Sequence, residues 1–318
     1  MEVLNETNVG EFIFTGLVDN YLHGLFLYIL FLLVYLITVV GNSGMMALVW
    51  NTSHLHTPMY YFLASLSMVD LCYSSVITPK MLVDLISQKK MISFCGCALQ
   101  LFFFAALAVT EALLLSCMAY DRYVAICYPL HYTLIMTKKK CLGLILTSTS
   151  VGFMQSSVQT SCTFSLRFCG LNRIDHFYCD MPPLRKISCS ETLYCDLVTI
   201  LFTCTCGMGS MMTILVSYTL IVSAILRMKS ASGRRKAFST CSSHLTCVCI
   251  FYCTIFFIYL RPPSSSFDKQ DKVVSVFYTV VIPMLNPLIY SLRNKEVERA
   301  FTKLFFSALN NAIFLKKT

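Results

Sequence analysis

Charge is what this chain has least of. Only 13% of its 318 residues are Asp, Glu, Lys or Arg, against 56% hydrophobic ones, whereas a soluble domain is about a quarter charged. Such a chain cannot cover its own surface with polar groups. That excludes an ordinary water-soluble globule and leaves lipid as the covering solvent, in line with a mean hydropathy of +0.67. Other absences narrow the class. The chain does not open with a basic segment, a short apolar core and a small-residue cleavage site. No removable leader is therefore expected, and the first apolar run is expected to act as its own insertion signal. No Gly-rich phosphate loop and no Ser/His/Asp arrangement on loops occurs, which speaks against an enzyme. No pair of Cys-x-x-Cys clusters is present, so a zinc site is not expected. Most of the 17 cysteines fall inside apolar runs, where Cys is a small hydrophobe.

What is there is a set of seven apolar stretches, at about 24–50, 59–83, 98–120, 141–161, 197–226, 237–260 and 273–292. Each is long enough to cross a hydrocarbon core of about 30 Å as a helix, and unpaired backbone in lipid rules out isolated strands. The expected fold class is an all-α membrane protein, a seven-transmembrane helix bundle with a short amphipathic C-terminal helix. Residues 1–23 form an extracellular tail, 24–292 the helical domain, and 293–318 a cytoplasmic amphipathic helix and tail. That last helix is read from Val297, Ala300, Phe301, Leu304 and Phe305, apolar at i, i+3, i+4, i+7 and i+8. No Cys follows Cys253, so it must hold the membrane by its apolar face alone.

Charge sets the orientation. The tail and the loops on its side carry ten bases against eleven acids, while the other side carries fifteen bases against three acids. The positive-inside tendency puts the N-terminus outside. The net charge of +9 then reflects attraction to an anionic inner leaflet and membrane lipids, and gives no support to nucleic-acid binding. The sequon Asn5-Glu6-Thr7 lies on the outer tail as a glycosylation candidate, whereas Asn51-Thr52-Ser53 falls in a short inner loop. Cys95, Cys97, Cys169, Cys179, Cys189 and Cys195 lie in outer loops, with Cys162 at a span end. An oxidising exterior bridges exposed pairs, but spacing alone does not select the pairing.

Two acids interrupt the spans, Asp70 in the second and Glu111 in the third. Such groups should face the bundle and share a polar site. Asn42, Ser116, Asn286 and Tyr290 are the expected neighbours, and Pro287 frees the carbonyl of Pro283. Two acids around one gap hold a sodium ion or leave one carboxyl protonated. The outer half of span 3 holds no acid to pair with a cationic amine, and span 7 holds no Lys for a retinal Schiff base. The candidate ligand lining is apolar: Phe104, Ala105, Ala108 and Val109 in span 3, Phe202 and Cys206 in span 5, and Tyr252, Ile255 and Tyr259 in span 6. The hydroxyl of Tyr252 or Tyr259 is the expected hydrogen-bond anchor for a small neutral ligand.

Four motifs then carry a resemblance: "LHTPMYYFLASLSMVDL" (55–71), "MAYDRYVAICYPLHY" (118–132), "KAFSTCSSHL" (236–245) and "PMLNPLIYSLRNKEV" (283–297). They resemble the signatures of odorant (olfactory) receptors, a branch of the rhodopsin-like (class A) G-protein-coupled receptors, in the right order and over residues 12–305. The resemblance implies disulfides Cys97–Cys179 and Cys169–Cys189. It implies a small volatile odorant as ligand and a stimulatory, olfactory-type heterotrimeric G protein as partner, raising cAMP. Trafficking accessory proteins and residence in the plasma membrane are implied with them. No cofactor is implied beyond sodium at Asp70 and Glu111 as a modulator. The coupling switch would comprise Asp121, Arg122, Tyr123, Tyr218, Asn286, Pro287 and Tyr290. Arg122 would be neutralised by adjacent Asp121, since 231–244 holds no Asp or Glu for an ionic latch. The family's usual Phe-Tyr-Gly is Phe251-Tyr252-Cys253, and span 6 has no internal Pro. The rival readings are a non-olfactory rhodopsin-like receptor for a small neutral ligand and an ion-coupled transporter. Seven spans without a recurring motif argue against the latter's paired halves.

Overall fold

Backbone N–H and C=O groups buried in lipid must pair within their own segment, and the chain meets this with helices. The computed structural model describes residues 10–18, 20–169, 172–259, 268–293 and 297. Seven helical segments are long and apolar enough to cross a membrane: Tyr21–Asn51, Pro58–Ile86, Phe94–Cys127, Lys138–Phe164, Leu193–Arg227, Ala231–Phe257 and Gln270–Tyr290. The helices are α1 (Tyr21–Asn51), α2 (Pro58–Ile86), α3 (Phe94–Cys127), the single turn α4 (Tyr132–Ile135), α5 (Lys138–Phe164), the short α6 (Met181–Lys186), α7 (Leu193–Arg227) and α8 (Ala231–Tyr259). The last span is α9 (Asp268–Val276) and α10 (Ile282–Arg293), joined by a π-helical turn at Phe277–Val281.

Packing follows composition. Over the most apolar stretch of α1 only 17% of residues are buried, against 56% in α2 and in α3. The acids sit on the two central helices, and the leucine-rich α1 keeps a wide apolar face for lipid. Helix α5 approaches α3 closely through small residues. A Cβ at Gly152 would come within 2.5 Å of the Ala106 carbonyl and of Thr110 Oγ1, Ser156 donates to the Phe102 carbonyl at 2.5 Å, and Ser148 lies 3.8 Å from Cys117 Sγ. This stripe at every fourth residue lets two membrane helices interlock and sets the rotation of α5.

The N-terminal segment is more than a tail. Strand β1 (Glu11–Phe14) lies between β2 (Met91–Ser93) and β3 (Arg173–Ile174), antiparallel to the first and parallel to the second. Its alternation buries Phe12 and Phe14. Phe12 sits 5.3 Å edge-on to Phe168 and 6.0 Å from Phe94. Beyond the strand, Gly16 takes φ +76°, and Thr15 and Lys272 both donate to Asp175 at 2.7 Å. Those two donors hold the Asp175 carboxyl below the usual range. Neighbouring His176 stacks on Phe177 at 4.8 Å, and burial with the nearby Lys272 charge lowers its pKa to about 3. Disulfides Cys97–Cys179, Cys169–Cys189 and Cys162–Cys195 stitch the same face. The third joins the end of α5 to the start of α7, a pairing that spacing alone left open. Cys95 is free and exposed.

Candidate ligand cavity and the polar clusters of the bundle

Below the stitched face lies a cavity of about 280 Å³ bounded by α3, α5, α7, α8 and the π-helical turn, at the small end of ligand pockets, which run from about 300 to 1,000 Å³. Phe104, Ala105, Ala108, Val109, Cys206, Tyr252 and Ile255 line it. Phe202 does not: the α7 wall is Thr203, Cys204, Cys206, Gly207, Met208 and Met211, so the inward stripe is centred one position further along the helix than the expected 202/206 pair. The side chain of Tyr259 lies outside the described residues, as do Asn5 and, except for buried Val297, the amphipathic segment at 297–305.

The roof corrects the expectation of a lining without charge. The loop after β3 carries Asp180 into the cavity wall. Its oxygens accept from the Met181 N–H at 2.8 Å and the Tyr178 hydroxyl at 3.1 Å. Burial pushes its pKa up to about 6, against those hydrogen bonds and the Arg185 charge, so it is largely ionised at neutral pH. Arg185 itself turns away, pairing with Asp196 at 2.5 Å and donating to Thr199 at 2.9 Å. Gln155 and Gln159 complete the polar part of the wall. The expected anchor, Tyr252, has its hydroxyl 2.7 Å from Ser210 Oγ.

Deeper in the bundle, Asp70 and Glu111 are 0% and 1% exposed. The Asn286 amide joins them, donating to the two Asp70 oxygens at 3.2 and 3.0 Å and to Glu111 Oε1 at 3.4 Å. The other expected neighbours do not join. Ser116 donates to the Leu113 carbonyl, and Asn42 donates to the carbonyls of Thr38 and Pro283, the latter at 3.0 Å. The Pro283 carbonyl is the one that Pro287 leaves without an intrahelical donor, so Asn42 closes a gap in the backbone instead of contacting the acids. Tyr290 is buried but makes no hydrogen bond to either acid among the described residues.

At the opposite end from the sheet, Asp121 does not pair with Arg122. Adjacent helical residues do not face each other. Asp121 turns inward and accepts from the Tyr132 hydroxyl of α4 at 2.8 Å, while Arg122 Nε is buried with no hydrogen-bond partner among the described residues. The Tyr123 hydroxyl donates to that of Tyr128 at 3.4 Å, and its ring packs between Tyr120 and Tyr128. The contact that ties the helices here is one the motif reading passed over. His244 Nε2 lies 3.1 Å from the Leu115 carbonyl and its Nδ1 lies 2.7 Å from the Tyr218 hydroxyl. A carbonyl only accepts, so Nε2 carries the proton and a neutral Nδ1 accepts from Tyr218. The imidazole thereby links α3, α7 and α8. A lone histidine amid the apolar residues of span 6 was the available signal.

Seven membrane-length helices, a mostly apolar cavity among them, and a buried acid pair with a helix-tying network beneath it define a seven-helix membrane bundle built around a small-ligand site. The profile of the family described as "Olfactory receptor" matches residues 31–308. Among relatives, "Olfactory receptor 5AP2" of Mus musculus is 56% identical over 301 residues, covering 94% of this chain and 95% of that protein. "Olfactory receptor 5AR1" of Homo sapiens is 52% identical over 307 residues, covering 96% of this chain and 98% of that one. The chain belongs to the olfactory receptor family, a family of receptors and not of enzymes.

Proposed function

We propose that the chain is an odorant receptor of the plasma membrane, with its N-terminus outside, that binds small neutral volatiles in the cavity and activates a stimulatory, olfactory-type heterotrimeric G protein, raising cAMP. The observation that carries this reading is the small, mostly apolar cavity roofed by a disulfide-stitched loop. It suits a compact greasy ligand and has no room for a peptide. The charge asymmetry of the loops and the clustering of the disulfides with the N-terminal strand support the orientation. Arg122, with an unpartnered Nε at the opposite end, is free to receive an acceptor from the G protein. Two buried carboxyls sharing one amide cannot both stay ionised without a counter-charge, which supports sodium between them as a modulator. The test is a cAMP-reporter panel of volatiles on cells expressing the chain with trafficking accessory proteins. Responses to neutral volatiles are expected, with Arg122→Ala reaching the surface yet silent. A charged amine or a peptide acting in the nanomolar range would refute the reading.

A further inference from the structure

The polar groups of the cavity wall are not equally engaged. Tyr252 shares its hydroxyl with Ser210, and Asp180 already accepts at both oxygens. Gln159 donates its amide nitrogen to Met181 Sδ at 2.8 Å. Gln155 stands apart: it is 3% exposed, and its amide carbonyl has no partner among the described residues. Among the described residues the nitrogen of the same amide has no hydrogen-bond partner either. The rotation of α5 explains its placement. Ser148, Gly152 and Ser156 lock onto α3, and that turns Gln155 and Gln159, one helical turn apart, toward the cavity. A carbonyl sealed from water without a partner costs about 1–3 kcal/mol, a cost that a donor on a bound ligand removes.

The neighbours indicate which ligand. Gln159 already spends one amide proton on Met181 Sδ, and Asp180 offers only acceptors. Among the described residues neither end of the Gln155 amide makes a hydrogen bond, so a donor and an acceptor stand side by side there. A hydroxyl donates to the carbonyl and accepts from a nitrogen, so it satisfies this wall. An ether, ester or aldehyde only accepts, and leaves the carbonyl stranded whichever way the amide is turned. A protonated amine donates but cannot accept, and it leaves the Gln155 nitrogen without an acceptor.

We propose that Gln155 is the polar anchor of the ligand site and that the preferred ligands are hydroxylated volatiles, aliphatic alcohols and phenols; this rests on the cavity being the odorant site. The probes are hexanol, octanol and phenylethyl alcohol, each against an ether of equal heavy-atom count, in the cAMP reporter with surface staining of a tagged receptor. In the wild type the alcohols should reach half-activation at concentrations at least about tenfold lower than their ethers. Gln155→Met keeps the volume without the amide head. It should raise the alcohol values until the two series agree within about threefold, with ether values unchanged. Gln155→Glu, which keeps an acceptor, should retain the preference. Ethers as potent as alcohols in the wild type, or an alcohol preference that survives Gln155→Met, would remove the anchor while leaving the volatile reading intact. Silence toward both series, with a response to an amine or a peptide, would remove both.

Discussion

At the scale of single residues, the titratable groups of the loop face act with opposite signs. Asp175 has its carboxyl pKa lowered by the Lys272 and Thr15 donors. It contributes stability above the ordinary carboxylate range, and that contribution is lost only as pH falls through the lowered value. Asp180 runs the other way, since burial raises it to about 6. Between the unfolded value of about 3.9 and that figure the folded state binds more protons, so stability falls as pH rises through this window. Asp180→Asn removes this falling contribution, so the melting midpoint of the purified variant should climb more steeply with pH across the window than that of the wild type. Melting curves of wild type and variant at closely spaced pH values check this, and a variant that kept the wild-type slope would clear Asp180 of the effect. His176 acts in the opposite sense. Burial holds its folded pKa at about 3, well below the unfolded value of about 6.5, so across the same range only the unfolded state binds the proton and stability rises with pH.

Among the helices, the imidazole of His244 couples three of them through two hydrogen bonds. Each bond is worth about 1 kcal/mol net, yet the two depend on one ring and cannot add independently. Tyr218→Phe and His244→Phe should each lower the melting midpoint, and the double variant should lose about 1 kcal/mol less than the sum of the two single losses. A double-mutant cycle on purified receptor measures it; additive losses would show that the ring and the hydroxyl act apart. The helices themselves were legible in the sequence, because seven runs of about twenty apolar residues have one stable answer in lipid. So were the outward absence of acid in α3 and most of its inward stripe, which follow from helical period. The strand β1 was not legible, since four residues pair only because two distant loops meet them. Nor was the rotation of α5: Gln155 and Gln159 look like stray amides until Gly152 and Ser156 are seen against α3. Phe202 misled because its own spacing with Cys206 is helical too, and only the neighbouring helices decide which of two adjacent stripes faces inward.

For the whole molecule, the closed roof and the small cavity together set the affinity a ligand can reach. The roof is held by Cys97–Cys179 to the top of α3 and by Cys169–Cys189 within the loop, while Cys162–Cys195 ties the ends of α5 and α7 from which the loop springs. Binding therefore does not have to order a long loop, and little of the interaction energy is spent on closure. The ceiling is instead ligand size. A volatile of about ten heavy atoms at roughly 0.5–0.8 kcal/mol each gains about 5–8 kcal/mol, a dissociation constant of about 1–200 μM. Fast release at that affinity suits a sensor that must reset. The same limit makes the receptor sensitive to single methyl groups in its wall. Ala108 is half-buried and lines the cavity directly, and enlarging it removes space that the stitched roof cannot restore by lifting. Ala108→Leu should reach the surface normally and raise half-activation concentrations about 10- to 100-fold, the range expected from overfilling a packed site. The increase should be larger for octanol than for hexanol, because the shorter ligand still fits. Dose–response curves for both alcohols with surface staining check it, and an unchanged potency for octanol would place the ligand elsewhere in the bundle.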